Sequence, residues 1–124
     1  MKLALYIGLG GFLGSIARYY VSKINLIPTL FNIPVGTLLV NIAGSLIIGF
    51  LTGIAERSVI LTVEWRMFLM VGFCGGFTTF STFANENLTM LRNANFEGII
   101  IYAALSVFLA FLFVYLGYNL SKVL

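Results

Sequence analysis

The chain has 124 residues, of which 60% are hydrophobic and 9% are charged, with seven basic and four acidic side chains. A soluble domain carries about a quarter charged residues, so we predict an integral membrane protein rather than a globular soluble one. The net charge of +3 does not indicate nucleic-acid binding, because the basic residues are scattered singly and form no patch. With no histidine and only one cysteine, Cys74, the chain lacks the usual catalytic and metal-binding side chains, and we expect no enzyme.

Four apolar segments occur along the chain, each near the roughly 20 residues that a helix needs to cross a membrane. The first begins after Lys2 and resembles a signal peptide, but we interpret it as a membrane helix because it ends in interface-type residues. Pro28 and Pro34 break the connection to the second segment into short, interfacial pieces. We therefore predict one all-α, four-helix transmembrane domain over residues 1–124. Its spans are Leu3–Val21, Val35–Ala55, Arg66–Leu91 and Gly98–Tyr118.

The basic residues on the two sides of these four spans are nearly balanced. An excess of Lys and Arg on one side sets the orientation of a membrane protein, and here the count is four against three. Two interpretations stay open, a single weakly biased orientation and a dual topology in which copies insert both ways and pair antiparallel. The small size of the chain favours the second, because one copy cannot easily enclose a pathway. The terminal side holds Lys2, Arg57, Arg66 and Lys122, and the other side holds Arg18, Lys23 and Arg92.

Pairs of glycines four positions apart recur in three of the predicted spans. In lipid there is no hydrophobic drive between helices, so close helix packing depends on small residues. We interpret these glycines as contact surfaces between helices. The pairs are Gly10 with Gly14, Gly49 with Gly53, and Gly72 with Gly76.

Polar side chains also lie within the predicted spans. A serine or threonine can bond back to its own helix, but the amide of Asn41 cannot be satisfied within its own turn and needs a partner or water. Asn41 belongs to a polar stripe along the second span, whose members at helical spacing are Thr37, Asn41, Ser45, Ile48 and Thr52. In the fourth span, Tyr102 and Ser106 form an i, i+4 pair, and Ala110 continues that line with a small, apolar residue.

The third span contains the sequence GGFTTFSTF at residues 75–83. Glycine and β-branched threonine are poor helix formers, so we predict a helix break near the centre of the span; the alternative is a continuous helix with a glycine packing face. Irregular backbone at membrane depth survives only where protein or a watery cavity surrounds it. Broken helices present free carbonyls, which bind ions.

Two phenylalanines, Phe80 and Phe83, follow the predicted break on one helical face, which they share with Asn87. The edge of an aromatic ring carries partial positive charge. A ring edge in a narrow passage can therefore meet an anion without the full charge that would trap it, and conduction needs binding weak enough to allow exit.

Three stretches of the chain carry a family resemblance. They are GGFLG at residues 10–14 with Arg18-Tyr19, GTLLVN at residues 36–41 and, most specifically, GFCGGFTTFSTF at residues 72–83. Together they resemble the fluoride channel family (Fluc, CrcB-like) over the whole chain. The resemblance implies a fluoride-selective channel that exports fluoride passively across the cell (inner) membrane. It also implies an antiparallel, dual-topology homodimer with two pores, each built from both subunits.

The resemblance further implies the residues of the site. A structural sodium ion (Na⁺) is expected at the dimer centre, held by the backbone carbonyls of Gly75 and Thr78 of each subunit. Phe80 and Phe83 are expected to line the pore, and Ala110 lacks a hydroxyl where a polar track might continue. The other implied fluoride-path residues are Asn41 in a vestibule, Arg18 near the aqueous entry, Tyr102 and Ser106 on a hydroxyl track, and Ser81, Thr82 and Glu86 within or just after the motif.

Two other functions compete with this one. A small multidrug-resistance-type proton-coupled antiporter shares the size, the four helices and the dual topology, but it needs a carboxylate deep in the membrane. The first span has none, and only Glu86 lies within a span, away from its centre. A non-transporting assembly protein explains the glycines but not a polar break. The residues alone do not identify the permeant halide, and fluoride is implied only by the resemblance.

Overall fold

The computed structural model describes residues 1–57 and 60–124, which are helical apart from short connections and, within these ranges, contain no strand. Short 3₁₀ turns occupy the proline-containing connection after α1, as predicted, and a further one follows α5. The helices begin and end within three residues of the predicted spans. They are α1 Lys2–Ser22, α2 Val35–Arg57, α3 over residues 63–77, α4 Ser81–Arg92 and α5 Phe96–Leu120.

Three helical stretches among the described residues are long and apolar enough to cross a membrane: Val35–Arg57, Val63–Arg92 and Phe96–Val123. They establish a membrane protein with α-helical spans. Helix α1 has 21 residues but is not among the three. A fourth span therefore remains a prediction.

The third predicted span is irregular along its length. Helix α3 begins with one α-helical turn, Val63–Arg66, continues as a π-helix over Met67–Cys74 and ends with Gly75–Phe77. The chain leaves the helix at Thr78, whose φ of −82° and ψ of 156° are those of extended backbone. The predicted break is thus confirmed, but the glycines remain helical, and Gly75 has a φ of −63° and a ψ of −37°.

The glycines instead allow helix backbones to touch. Helix α1 packs along α3 and α2 packs along α5. A Cβ atom built on Gly76 would lie 2.6 Å from the carbonyl oxygen of Gly11, and one built on Gly49 would collide with the carbonyl oxygen of Val114. The predicted glycine contact surfaces are therefore confirmed, and small residues set the spacing of both helix pairs.

Few large apolar side chains are buried within the single chain. The main buried cluster consists of Leu38, Met90 and Tyr102, and it joins α2, α4 and α5. Only 6% of the most apolar window of α5 is buried. The outer surface therefore suits lipid or another membrane subunit as its surroundings.

We expect Gly14→Ala to destabilise the folded protein by about 1–3 kcal/mol, the usual range for overpacking. The added Cβ would collide with the carbonyl oxygen of Phe73 and lie 2.9 Å from the backbone nitrogen of Phe77. Thermal unfolding in detergent measures the effect. Gly8→Ala is the control, because a Cβ there meets nothing within 4 Å. Equal midpoints for the two variants would contradict the close backbone contact.

Candidate functional site

The helix break is held open by one side chain from a neighbouring helix. The side-chain amide of Asn41, on α2, donates to the carbonyl oxygen of Thr79 at 3.1 Å, and its oxygen accepts from the Thr79 backbone nitrogen at 3.0 Å. One amide thus satisfies both polar groups of a residue that belongs to no helix. The polar residue that sequence analysis found hard to place in lipid is paired with the backbone of the break.

The last carbonyls of α3 depend on groups beyond the helix for their hydrogen bonds, as at any helix end. The Cys74 carbonyl accepts from the backbone nitrogen and the hydroxyl of Thr78, at 2.9 and 2.8 Å. The Gly76 carbonyl accepts from Nε of Arg18 at 3.0 Å, which places a cation at the negative end of the helix dipole. In the part of the chain that the structure describes, the carbonyls of Gly75 and Thr78 accept no hydrogen bond.

A cavity of about 520 Å³ opens beside the break, between α2, α3, α4 and α5. Gly75 is exposed, and Phe80, which also lies on the cavity wall, is 79% exposed. The hydroxyl oxygen of Ser106 is buried and has no hydrogen-bond partner among residues 1–57 and 60–124. Ala110 lies on the wall one turn beyond Ser106. The predicted site residues that line the cavity are Asn41, Gly75, Thr78, Phe80, Phe83 and Ser106.

Three aromatic rings lead away from this cavity. The rings of Phe80 and Phe83 are 5.7 Å apart between centroids, and those of Phe83 and Tyr102 are 5.0 Å apart. Tyr102 is fully buried, and its hydroxyl donates to Oε1 of Glu86 at 3.3 Å. The rings therefore form a continuous line from the break to a carboxylate inside the helix bundle.

Glu86 is the centre of a second group of polar side chains. Its Oε2 atom accepts from the hydroxyl of Thr37 at 3.0 Å and from the amide of Asn25 at 3.5 Å. Thr37 was predicted only as a member of the polar stripe, and Asn25 was not among the predicted site residues. The polar stripe pointed to Thr37, whereas no pattern marks Asn25, which lies in the connection between α1 and α2.

A second cavity, of about 570 Å³, begins at this polar group. It lies between the α1–α2 connection and the C-terminal half of α4, and Glu86 and Asn25 are on its wall. Phe31 and Asn32 in that connection have positive φ angles of 63° and 55°, and Asn95 donates to the Phe31 carbonyl at 2.7 Å. The three rings and Glu86 thus lie between two cavities.

The remaining predicted site residues lie outside both cavities. Arg18 is half-buried against the end of α3. Ser81 is exposed at the start of α4. Thr82 is half-buried, and its backbone nitrogen donates to the hydroxyl of Thr79 at 3.2 Å. These three surround the break, whereas Tyr102 connects the two cavities.

Comparisons with known proteins place this chain among relatives of one family. A family model described as CrcB-like protein, Camphor Resistance (CrcB), matches residues 5–118. A relative from Methanococcus maripaludis is 49% identical over 117 residues, covering 94% of this chain and 93% of its own length. Relatives from Bacteroides fragilis and Pyrococcus abyssi are 47% and 39% identical, and each comparison covers 98% of both chains. All three relatives are called fluoride-specific ion channel FluC.

We expect Asn41→Leu to destabilise the fold by about 2–4 kcal/mol, since it leaves two backbone groups of Thr79 without partners. Thermal unfolding and amide hydrogen exchange at Thr79 measure the loss of this pairing. Ser45→Ala is the matched control on the same helix and cavity wall, because within the described part of the chain the Ser45 hydroxyl bonds only to the carbonyl of Asn41 in its own helix. An unchanged exchange rate at Thr79 in Asn41→Leu would show that the amide does not hold the break.

Proposed function

This chain belongs to the CrcB family, and on that premise we propose that it is a fluoride-selective channel rather than an enzyme. In this proposal fluoride leaves the cell passively, down its electrochemical gradient, across the inner membrane. The observation that carries the proposal is the line of Phe80, Phe83 and Tyr102 between two cavities. The choice of fluoride among the halides comes from the names of the relatives.

The aromatic line suits a passage for a small anion. Ring edges carry partial positive charge, and Ser106 offers a hydroxyl without a partner at the start of the line. Arg18, the basic side chain nearest the break, is engaged with the Gly76 carbonyl. Weak, partial charges favour rapid exit, because conduction fails when an ion is bound too tightly.

The exposed break supports an antiparallel homodimer. Gly75 and Phe80 face outward from the single chain, and unpaired backbone at membrane depth is tolerated only against protein or water. A second copy of this chain supplies that cover in our proposal. Each subunit has four spans in this proposal, with α1 as the first. This number of spans and the near balance of basic residues favour copies inserted in both orientations. Two pores would then form, each lined by both subunits.

The free carbonyls of Gly75 and Thr78 fit a structural sodium ion at the dimer centre. Both residues line the first cavity, and a Cβ built on Gly75 meets no atom within 4 Å. Carbonyl oxygens are ligands for hard monovalent cations. Two subunits offer four such oxygens, and no group of three His, Cys, Asp or Glu side chains among residues 1–57 and 60–124 offers an alternative metal site. The bound cation would neutralise the carbonyl dipoles of two helix ends.

A proton-coupled antiporter is the weaker alternative. Such a transporter needs a membrane carboxylate that is free to exchange protons for a cationic substrate. Both oxygens of Glu86, the one acidic residue within a predicted span, accept hydrogen bonds from neutral side chains. No further contact of the described residues favours antiport.

We predict that Phe80→Ile and Phe83→Ile each reduce fluoride efflux from reconstituted liposomes at least about tenfold, because isoleucine keeps the bulk but lacks a polarised ring edge. Dimer assembly should persist on size-exclusion chromatography. Phe12→Ile and Phe108→Ile are the controls, since these rings lie 62% and 65% exposed on other helices. Efflux equal to the parent in both pore variants would rule out the aromatic-edge mechanism.

We also predict that sodium stabilises the assembled protein. At a concentration about a hundredfold above its dissociation constant, a ligand of the folded state adds about 2.7 kcal/mol of stability. The thermal unfolding midpoint should therefore rise with sodium chloride concentration, at ionic strength held constant with N-methyl-D-glucamine chloride. Unfolding curves that superimpose in the two salts would exclude a structural sodium site.

A further inference from the structure

Asn25 connects three parts of the structure through its side-chain amide. It lies in the 3₁₀ turn Lys23–Leu26, which follows α1. Its Oδ1 atom accepts from the backbone nitrogen of Thr37 at 3.1 Å, and its Nδ2 atom donates to the Thr37 hydroxyl at 2.9 Å. The same Nδ2 atom donates to Oε2 of Glu86 at 3.5 Å. Both polar atoms of the amide are therefore in use.

The first turn of α2 is shaped to receive this amide. The backbone nitrogen of Thr37 is one of the donors that a helix leaves unpaired at its N-terminus, and Asn25 caps it from outside the helix. Gly36 makes the approach possible, because a Cβ built there would lie 2.8 Å from Oδ1 of Asn25 and 2.9 Å from the carbonyl of Val21. A residue with a side chain at position 36 would push the amide away.

The contacts of Asn25 fix the orientation of the Glu86 carboxylate. One oxygen of Glu86 is held by Thr37 and Asn25, so the other faces the Tyr102 hydroxyl. The Tyr102 ring in turn packs on Phe83 at a centroid distance of 5.0 Å. A displaced carboxylate would change both the position of this hydroxyl and the negative charge at the wall of the second cavity.

We propose that Asn25 is a positioning residue for the anion path, and this inference rests on the proposed channel function. Its amide donor compensates the charge of Glu86 and keeps the carboxylate against Thr37 and Tyr102. Without that donor, the carboxylate turns into the second cavity, where its charge repels an approaching anion. Asn25 acts through Glu86 and Thr37 and is not assigned a direct contact with fluoride.

The variant Asn25→Asp separates this role from simple helix capping. Aspartate is as good a cap acceptor for the Thr37 nitrogen as asparagine, but it has no donor and places a second carboxylate beside Glu86. We expect the dimer to assemble and fluoride efflux to fall at least about tenfold, the equivalent of one lost hydrogen bond to a charged group. Efflux equal to the parent would overturn the proposal.

Glu86→Gln provides the rescue test, because Asn25→Asp combined with Glu86→Gln exchanges the amide and the carboxylate between the two positions. The efflux loss caused by Asn25→Asp should be at least about fivefold smaller in the Glu86→Gln background than in the parent, since the complementary pair is restored. An equal loss in both backgrounds would show that Asn25 does not act through Glu86.

Asn32→Asp is the charge control, because Asn32 is exposed on the wall of the same cavity. This variant should reduce efflux less than Asn25→Asp does.

Thermal unfolding in detergent gives a readout that does not depend on transport. It compares the parent, Asn25→Asp, Glu86→Gln and the double variant. Asn25→Asp should lower the unfolding midpoint less in the Glu86→Gln background than in the parent. Additive shifts would overturn the contact between Asn25 and Glu86. A parent protein that passes no fluoride would refute the channel function alone, because the unfolding cycle still decides whether the two side chains are coupled.

Discussion

A peptide group inside a membrane must find a partner within the protein, and the centre of this structure is built around that constraint. Helix α3 stops at Thr78, and the groups that it leaves unpaired are satisfied from three directions. Asn41 pairs with both polar groups of Thr79, Arg18 pairs with the Gly76 carbonyl, and Thr78 turns back to the end of its own helix. The carbonyls of Gly75 and Thr78 are left, and both residues face the same cavity.

Close backbone contact makes these long-range pairings possible. Helix α1 touches α3 through glycines, as at Gly14, so the Arg18 side chain one turn further along α1 reaches the end of α3. Gly36 has the same effect at the start of α2, where it admits the amide of Asn25. In lipid, small residues are usually explained by packing alone. Here they also determine which polar groups lie within hydrogen-bonding distance.

The proposed anion path combines partial positive charges with one compensated negative charge. In this proposal Phe80 and Phe83 present ring edges to the anion, and Glu86 is held by three neutral donors. A fixed cation beside the path whose charge no neighbouring group compensates would attract an anion strongly and slow its release. An uncompensated carboxylate would exclude the anion. Donor groups around Glu86 avoid both outcomes, which explains how a carboxylate is compatible with anion passage.

Composition and residue spacing determined the membrane class, the helix bounds and the existence of a break, because these depend on local hydropathy and backbone propensity. The position of Phe80 and Phe83 directly after the break residue Thr78 is likewise a property of the sequence. The sequence predicted the break over the glycines and threonines of residues 75–79, and within that stretch the structure keeps Gly75 helical and opens the chain at Thr78. Only the tertiary structure brought Asn25 to Glu86, which lies 61 positions away. Periodicity reports which residues share a face of one helix, and it carries no information about an amide that reaches across from a connecting turn.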